Sequence, residues 1–322
     1  MIIDFQHHYT PRALHNSSVA QNLAINKAGK VPKYFSPEAL FDLDEHIRVM
    51  DFAGIDAAIL SCGLGMDGAP LDLCRQVNNE IQKAAIDYPG RFFGIGHVPP
   101  LSGVEGLSEV ARCRQELGFK GVVIPSEIEG LALDDVRIDP FWAECERQNL
   151  YVFIHPALRP AAPDHLQAFD LVRSIGREFS LITTTIRLID GGVLDRFPKL
   201  KIQMAHLGGG IAIMWERLKA FHDRKWLGTQ DDPVHGRLPE RALDHYLRER
   251  LFFDTAGVFG SMTAVEATVK EIPPSQVVFG TDYPLEIHTD IAMKAFVDNL
   301  KAMGVTGHMI LSGSAKVLLS DN

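Results

Sequence analysis

The chain has 322 residues, of which 46% are hydrophobic and 23% are charged, so it can bury one large core or two modest ones. Its formal net charge of −9 at pH 7 would repel a nucleic-acid backbone or an anionic membrane surface, and we expect neither as a partner. No apolar run approaches the ~20 residues that span a bilayer, and the N-terminus lacks the layout of a signal peptide. The four cysteines form no C-x-x-C pair, which favours reduced packing residues in a cytoplasmic protein.

Short apolar runs alternate along the chain with longer segments in which apolar residues recur every three or four positions. The runs are mostly β-branched or aromatic, which is typical of parallel strands that are covered on both faces. In chain order the predicted strands are IID at 2–4, DAAILS at 56–61, RFFGIGHV at 91–98, KGVVIP at 120–125, YVFIHP at 151–156, KIQMAH at 201–206, LFFDTA at 251–256 and QVVFGTD at 276–282. The periodic segments, among them 37–54, 71–89 and 103–118, predict helices that end at Gly or Pro.

Eight strands with intervening helices predict an α/β fold, a (β/α)8 TIM barrel formed as a single domain over residues 1–322. A doubly wound open sheet is the alternative, but it requires a glycine-rich phosphate loop where the chain has FQHHYTP. Residues 10–36 show little periodicity, so we expect an insertion after strand one that acts as a lid or a loop over the barrel mouth.

Polar side chains follow several of the predicted strands, at the end where barrel enzymes place their reactive groups. Gln6 and His8 are two residues apart and therefore point inward together, whereas His7 points outward toward the helices. Three histidines and a carboxylate that converge on one rim indicate a divalent-metal site. The polar residues of this rim are Gln6, His8, His97, His155, His206, Asp254 and Asp282.

Each of these residues also has a structural interpretation. A single histidine such as His155 would be a hydrogen-bonded rim residue, and the glycines after His206 would serve a tight strand-to-helix turn. Asp282 would be a turn or N-cap carboxylate. Asp254 either caps a helix or supports the site from behind, and His97 is expected to be structural or to adjoin the substrate. The agreement among several strands favours the metal site over these alternatives.

Four segments carry a resemblance to a known family, and they cover nearly the whole chain in order. They are IDFQHH at 3–8, FIHP at 153–156, GGVLDRFPKLKIQMAHLGGG at 191–210 and VVFGTDYP at 277–284. Together they resemble the amidohydrolase superfamily, and within it the branch that contains aminocarboxymuconate semialdehyde decarboxylase. The third and fourth segments are the specific ones, since the first alone would be a weak signal.

The resemblance implies a site as well as a fold. It assigns His206 as the acid or base beside a divalent metal, and it lets either His206 or Asp282 deliver a proton. Arg217 matches a family arginine that binds the substrate carboxylate, often from the neighbouring subunit, so we expect a homodimer or a higher homo-oligomer. Lys33 and Tyr34 in the insertion are further candidates for substrate binding. The implied metal ligands are Gln6, His8, His155 and Asp282.

Gln6 departs from the family pattern, which has His or Glu at this position. An amide oxygen is a weaker and harder donor than an imidazole nitrogen. Zinc therefore remains the first expectation, with manganese and magnesium as stronger competitors than usual. In an alternative arrangement Gln6 only hydrogen-bonds a metal-bound water, and the metal keeps three protein ligands.

The resemblance further implies a non-oxidative, metal-dependent decarboxylase that acts on a small aromatic or unsaturated carboxylic acid. A second hypothesis keeps the fold and the metal but makes the enzyme a hydrolase or hydratase, with a lactone such as a pyrone dicarboxylate as substrate. A third is a barrel that has lost turnover and binds a ligand, with Gln6 as the trace of that loss. The decarboxylation needs no pyridoxal phosphate, thiamine or flavin.

Overall fold

A computed structural model describes residues 1–15, 37–222 and 239–320 of the chain. Its strands are β1 (Ile3–His8), β2 (Ala57–Ser61), β3 (Phe92–Gly94), β4 (Gly96–His97), β5 (Gly121–Pro125), β6 (Glu127–Ile128), β7 (Leu131–Ala132), β8 (Tyr151–His155), β9 (Ile202–Met204), β10 (Leu251–Asp254) and β11 (Val277–Val278). Within the described residues, parallel pairing runs β1–β2–β3 and β4–β5–β8–β9–β10–β11, while β6 and β7 form a small antiparallel hairpin.

The strands close into an eight-stranded barrel, in which β3 and β4 together form the third strand. The Ile95 amide between β3 and β4 donates to the carbonyl of Leu60 at 3.3 Å. The first strand is joined to the last strand and the residues that follow it by three backbone hydrogen bonds, from Phe5 N to Phe279 O (2.8 Å), from His8 N to Tyr283 O (2.8 Å) and from Asp282 N to Gln6 O (2.9 Å). The predicted strands and the TIM barrel are therefore confirmed, and this closure excludes the open sheet.

Helices cover the barrel between successive strands. The predicted helix over 37–54 is a 3-10 turn (Glu38–Phe41) followed by an α-helix (Leu43–Ala53) whose N-cap is Asp42, since its side chain accepts the amides of Asp44 and Glu45. Gly54 ends this helix because it adopts φ 75°, which costs glycine little. The α-helices are α1 (Arg12–His15), α2 (Leu43–Ala53), α3 (Leu71–Asp87), α4 (Gly103–Gln115), α5 (Asp139–Arg147), α6 (Arg177–Asp190), α7 (Val193–Arg196), α8 (His206–His222), α9 (Leu243–His245), α10 (Met262–Glu271), α11 (Asp290–Ala302), α12 (Val305–His308) and α13 (Ser314–Leu318).

The core lies inside the barrel and between the barrel and its helices. Every residue of β8 is buried, as are those of β2 and β5, because both faces of these strands are covered. The four cysteines are free and buried in this core, in agreement with the prediction of packing residues. None of the described helices combines the length and the low polarity that a bilayer crossing requires.

Candidate active site

Three of the four predicted metal ligands meet at the C-terminal rim of the barrel. His8 ends β1, His155 ends β8, and Asp282 follows β11. One ligand atom from each lies within 4.8 Å of the others, and no more than 6% of any of the three residues is exposed. We refer to His8, His155 and Asp282 as the cradle. Its atoms are close enough together to share one cation.

The two histidines of the cradle are held by neutral oxygens at their Nδ1 atoms. His8 Nδ1 lies 2.9 Å from the hydroxyl of Ser61, and His155 Nδ1 donates to the carbonyl of Pro156 at 2.8 Å. Burial, together with the nearby His8, keeps the pKa of His155 well below its ordinary value. A neutral imidazole that donates through Nδ1 leaves a lone pair on Nε2, which is the arrangement that metal-binding histidines adopt.

The contact between His8 and Asp282 suits a cation. The His8 Nε2 atom lies 2.6 Å from Asp282 Oδ1, yet this buried nitrogen has no hydrogen-bond partner among the described residues. Two ligand atoms this close to each other can bind the same cation. Although burial favours its neutral form, the adjacent His8 lowers the pKa of Asp282 to about 2, so it is a carboxylate. Two imidazole nitrogens and one carboxylate fit a divalent metal ion.

Asp282 is held in an unusual backbone conformation with φ 53°. Its own amide donates to Gln6 O, and the preceding amide, of Thr281, donates to Asp4 Oδ1 at 3.1 Å. The Thr281 hydroxyl also bonds the Asp4 carboxylate. A non-glycine residue keeps a positive φ only where its surroundings fix it, and such residues concentrate at functional sites.

His206 lies beside the cradle, with its Nε2 atom 3.9 Å from Asp282 Oδ2. It has φ 56°, and its amide donates to Asp254 Oδ1 at 2.9 Å. Gly257 packs so tightly against this ring that a Cβ at that position would lie 2.1 Å from His206 Cγ. The glycines after His206 all have positive φ, so the tight strand-to-helix turn is present as well as the polar side chain.

The imidazole of His206 is bonded at both nitrogens. Its Nδ1 atom lies 2.8 Å from Glu178 Oε1, and its Nε2 atom lies 3.1 Å from the amide of Gln6. Burial alone would disfavour the imidazolium, but the carboxylates of Glu178, Glu286 and Asp282 outweigh it and raise the pKa of His206 to about 10. His206 is therefore positively charged at neutral pH in the metal-free protein, unlike His155.

The orientation of the Gln6 amide follows from its neighbours. With its nitrogen toward Asp254, the amide donates to Oδ2 and Oδ1 at 3.0 and 3.1 Å, and its oxygen accepts from His206 Nε2 at 3.1 Å. The opposite orientation would place the amide oxygen against a carboxylate, so we adopt the first. Gln6 is fully buried, and both polar ends of its side chain bond protein groups.

Asp254 supports this side of the site from behind. It accepts from Gln203 Nε2 at 2.9 Å and from the amides of His206 and Ala256. Burial raises its pKa to about 6, although His206 and Gln203 oppose that shift. Of the two roles predicted for Asp254, support from behind is the one that these bonds describe.

Two carboxylates at the site were not predicted from the sequence. Glu178 reaches His206 from the first turn of α6, and Glu286 lies four residues beyond Asp282. Glu286 Oε2 accepts the amide of Gly257 at 2.7 Å, and one of its oxygens lies within 4.8 Å of ligand atoms of His206 and Asp282. Burial, reinforced by Asp282, raises the pKa of Glu286 to about 8. Proximity to the GTDYP motif is a sequence signal for Glu286, whereas no motif marks Glu178.

The remaining rim histidines lie behind the site. His97 accepts the amide of Cys62 at 3.0 Å, and burial with His8 nearby lowers its pKa to about 3, so it is a neutral structural residue. His7 points outward, with its Nδ1 atom 2.9 Å from Asp4 Oδ2 and its Nε2 atom 3.0 Å from His46 Nδ1.

The predicted substrate residues are not brought to the cradle by the described chain. Arg217 is exposed on α8, and its guanidinium carbon lies 4.8 Å from the centroid of the Phe221 ring, farther along the helix from His206. Lys33 and Tyr34 lie outside the described residues. The roles of all three remain predictions.

Comparison with known proteins agrees with the motifs. A family model described as Amidohydrolase matches residues 3–302. A 2-amino-3-carboxymuconate-6-semialdehyde decarboxylase from Dictyostelium discoideum is 27% identical over 283 residues, which cover 85% of this chain and 76% of that protein. A gamma-resorcylate decarboxylase from Rhodococcus jostii is 28% identical over 284 residues, which cover 81% of this chain and 84% of that protein.

A solved structure shares the fold. It is a 5-carboxyvanillate decarboxylase from Novosphingobium aromaticivorans with bound manganese and 3-methoxy-4-hydroxy-5-nitrobenzoic acid. It superposes with a TM-score of 0.85 at 24% identity, covering 99% of this chain and 97% of that one. The family match extends over nearly the whole barrel, from β1 to the end of α11. The chain therefore belongs to the amidohydrolase family.

Proposed function

We propose that this protein is a metal-dependent, non-oxidative decarboxylase of small aromatic carboxylic acids. The observation that carries the proposal is the cradle of His8, His155 and Asp282 beside a charged His206. The similar proteins from Dictyostelium and Rhodococcus are both carboxy-lyases by name, and the second acts on an aromatic acid, which supports the same reaction class.

The cradle would hold the metal ion. Bound there, such an ion would supply Lewis-acid chemistry toward a carboxylic acid substrate, next to the proton donor. We propose manganese ahead of zinc, because the carboxylate of Asp282 is a hard donor and the similar carboxyvanillate decarboxylase contains manganese. The expectation of a divalent metal stands, and only the order of preference changes.

His206 is positioned to supply the proton. Its charged ring transfers the Nε2 proton to the ring carbon that bears the substrate carboxylate, and that carbon becomes tetrahedral. The bond to the carboxylate then breaks, its electron pair restores the aromatic ring, carbon dioxide leaves, and the imidazole regains a proton from water. Asp282, the other predicted donor, is a carboxylate with a pKa of about 2 and carries no proton at neutral pH. We therefore assign proton delivery to His206.

Glu178 and Gln6 serve this step from the two sides of the ring. The carboxylate of Glu178 stabilises the imidazolium at Nδ1, and the Gln6 oxygen lies at Nε2. The hydrolase or hydratase alternative needs His206 as a base that takes a proton from water. The two decarboxylases to which the chain is similar favour the decarboxylase over this alternative.

We further propose that the active form is a homodimer in which Arg217 binds the substrate carboxylate in the partner's site. The exposed face of α8 that carries Arg217 also presents Ile213, Met214 and Phe221, of which Ile213 is 79% exposed. Such an apolar face is typical of a surface that another chain covers. Specific activity should fall on dilution below the dimer dissociation constant, measured beside sedimentation velocity at the same concentrations.

A direct assay tests the main proposal. The protein is purified without chelator, loaded with Mn²⁺, Zn²⁺ or Mg²⁺, and incubated with a panel of hydroxybenzoates and muconate-type acids while carbon dioxide is measured. In deuterated water the product should gain one deuterium at the carbon that lost the carboxylate. If no carbon dioxide is released with any of the three metals, the proposal is contradicted. Incorporation of oxygen-18 from water into the product would favour the hydrolase instead.

A further inference from the structure

The Gln6 side chain bridges Asp254 and His206 on one side of the active site. Its amide nitrogen donates to the carboxyl oxygens of Asp254, and its amide oxygen accepts from Nε2 of His206. A primary amide has a donor and an acceptor on the same planar group. Glutamate at this position would place a carboxylate about 3 Å from Asp254, and an apolar residue would remove one hydrogen bond from each of Asp254 and His206.

The surroundings of Gln6 hold it in this place. Asp254 is itself fixed by Gln203 and by the amide of His206. The backbone of Gly280 packs against the pair, since a Cβ there would lie 3.0 Å from Asp254 Cβ and 3.3 Å from Gln6 Cβ. Turning the amide toward the cradle would break the bonds to Asp254 and His206 in a fully buried region, which is unfavourable.

The cradle does not need the amide to complete its charge and donor set. His8, His155 and Asp282 already provide two imidazole nitrogens and one carboxylate, and each imidazole is oriented at its other nitrogen by a neutral oxygen. Three protein ligands leave open positions for water and substrate, as a catalytic site requires.

We propose that Gln6 is a positioning residue, which holds His206 against Asp254, and that the metal takes its protein ligands from His8, His155 and Asp282 without Gln6. This inference rests on the proposed metal-dependent decarboxylation. It assigns Gln6 to proton delivery instead of to metal binding.

The first test compares metal binding with turnover. The Q6M variant keeps the length of the side chain and removes both of its polar ends. Q6A replaces Q6M if that variant does not fold. H155A is the control, because it removes a cradle ligand. Titration with Mn²⁺, followed by the electron paramagnetic resonance signal of the free ion, should give about one ion per Q6M chain with affinity within ~3-fold of wild type. Loss of an orienting hydrogen bond should lower kcat by ~10–100-fold with KM nearly unchanged. Loss of Mn²⁺ from Q6M to the extent seen in H155A would overturn the inference.

The second test needs no turnover. Imidazole ¹⁵N and ¹H resonances of the metal-free protein report the hydrogen bonds of each ring nitrogen, and those of His206 are assigned by their absence in H206N. The Nε2 signals of His206 should shift in Q6M and remain in place in S61A, which removes a partner of His8 instead. Unchanged His206 signals in Q6M would refute the positioning role. An inactive wild-type enzyme would contradict the proposed decarboxylation. The imidazole resonances would still show whether Gln6 contacts His206.

Discussion

The two sides of the active site use the same residue type in opposite ways. On the cradle side, His8 and His155 are bonded at Nδ1 by a hydroxyl and a backbone carbonyl, both neutral oxygens. On the other side, which we call the proton side (His206, Glu178, Gln6 and Asp254), the histidine is bonded at Nδ1 by a carboxylate. A neutral partner leaves a lone pair for a metal, whereas an anionic partner stabilises a second proton on the ring.

A histidine at the end of a barrel strand therefore has no fixed role. His155, whose Nδ1 partner is a carbonyl, has a pKa well below its ordinary value, whereas the pKa of His206, whose Nδ1 partner is a carboxylate, is raised to about 10, although both are buried. The two side chains belong to one site, with ring centroids 6.1 Å apart. Substitutions on the two sides should therefore separate metal binding from proton transfer.

Removal of a cradle ligand should have the largest effect. H155A or D282N takes one of three ligands from the cation, so we expect loss of most of the bound metal and a fall in kcat of at least ~10³-fold. Elemental analysis and carbon dioxide release measure the two effects. His165→Ala is the matched control, because His165 is an exposed histidine outside the cradle and should keep both. Full metal content in H155A would contradict the cradle.

Removal of the proton donor should be next in size. H206N keeps a polar side chain but has no titratable group, so kcat should fall by ~10²–10⁴-fold, which is the usual contribution of general acid catalysis. Its Mn²⁺ content should remain near that of wild type, since His206 lies outside the cradle. An H206N protein that loses its metal would show that the two sides are not separate.

Loss of the carboxylate of Glu178, behind His206, should change the pH dependence of kcat. In the metal-free protein the pKa of His206 is raised to about 10, against the effect of burial and with Glu178 as the strongest attraction. In E178Q that pKa falls, and the imidazolium is lost at lower pH. The alkaline limb of the kcat profile should therefore move to lower pH, with a ~10-fold or greater loss of kcat at pH 9. A profile that coincides with wild type would contradict the role of Glu178.

The metal-free protein should show a pH effect from Glu286. Its folded-state pKa is raised to about 8 from an ordinary value of 4.5, so the folded chain binds a proton that the unfolded chain releases. Stability should consequently fall as pH rises from about 4.5 to 8. Thermal unfolding with excess chelator should show a Tm that drops by a few degrees more in wild type than in E286Q over this range. If the plots of Tm against pH run parallel for wild type and E286Q, the raised pKa of Glu286 is contradicted.

The smallest expected effect is that of Ser61. S61A removes the oxygen that faces His8 Nδ1, which orients the ring but does not touch the cation. One neutral hydrogen bond contributes about 1 kcal/mol, so Mn²⁺ affinity should weaken by ~5-fold. Isothermal titration with MnCl₂ measures it, and a loss as large as that of H155A would mean that the hydroxyl does more than orient the ring.

The barrel and most of its rim were predictable from the amino-acid sequence. Continuous apolar runs marked all eight strands of the barrel, because a strand covered on both faces needs apolar residues throughout. The strand ends then placed His8, His155 and Asp282 on one rim, since all carboxyl ends of a parallel barrel lie on the same side. The motifs also carried the family, which the match over residues 3–302 confirms.

The contacts between side chains across that rim, in contrast, follow from the folded chain alone. Glu178 meets His206 across 28 positions, and Gln6 meets it across 200, so no local pattern records either contact. The sequence interpretation of Gln6 as a ligand considered its oxygen alone, whereas the folded chain places Asp254 at its nitrogen. Hydrophobic periodicity is a property of neighbouring residues, but the charge and the bonds of a buried side chain depend on groups that distant strands bring to it.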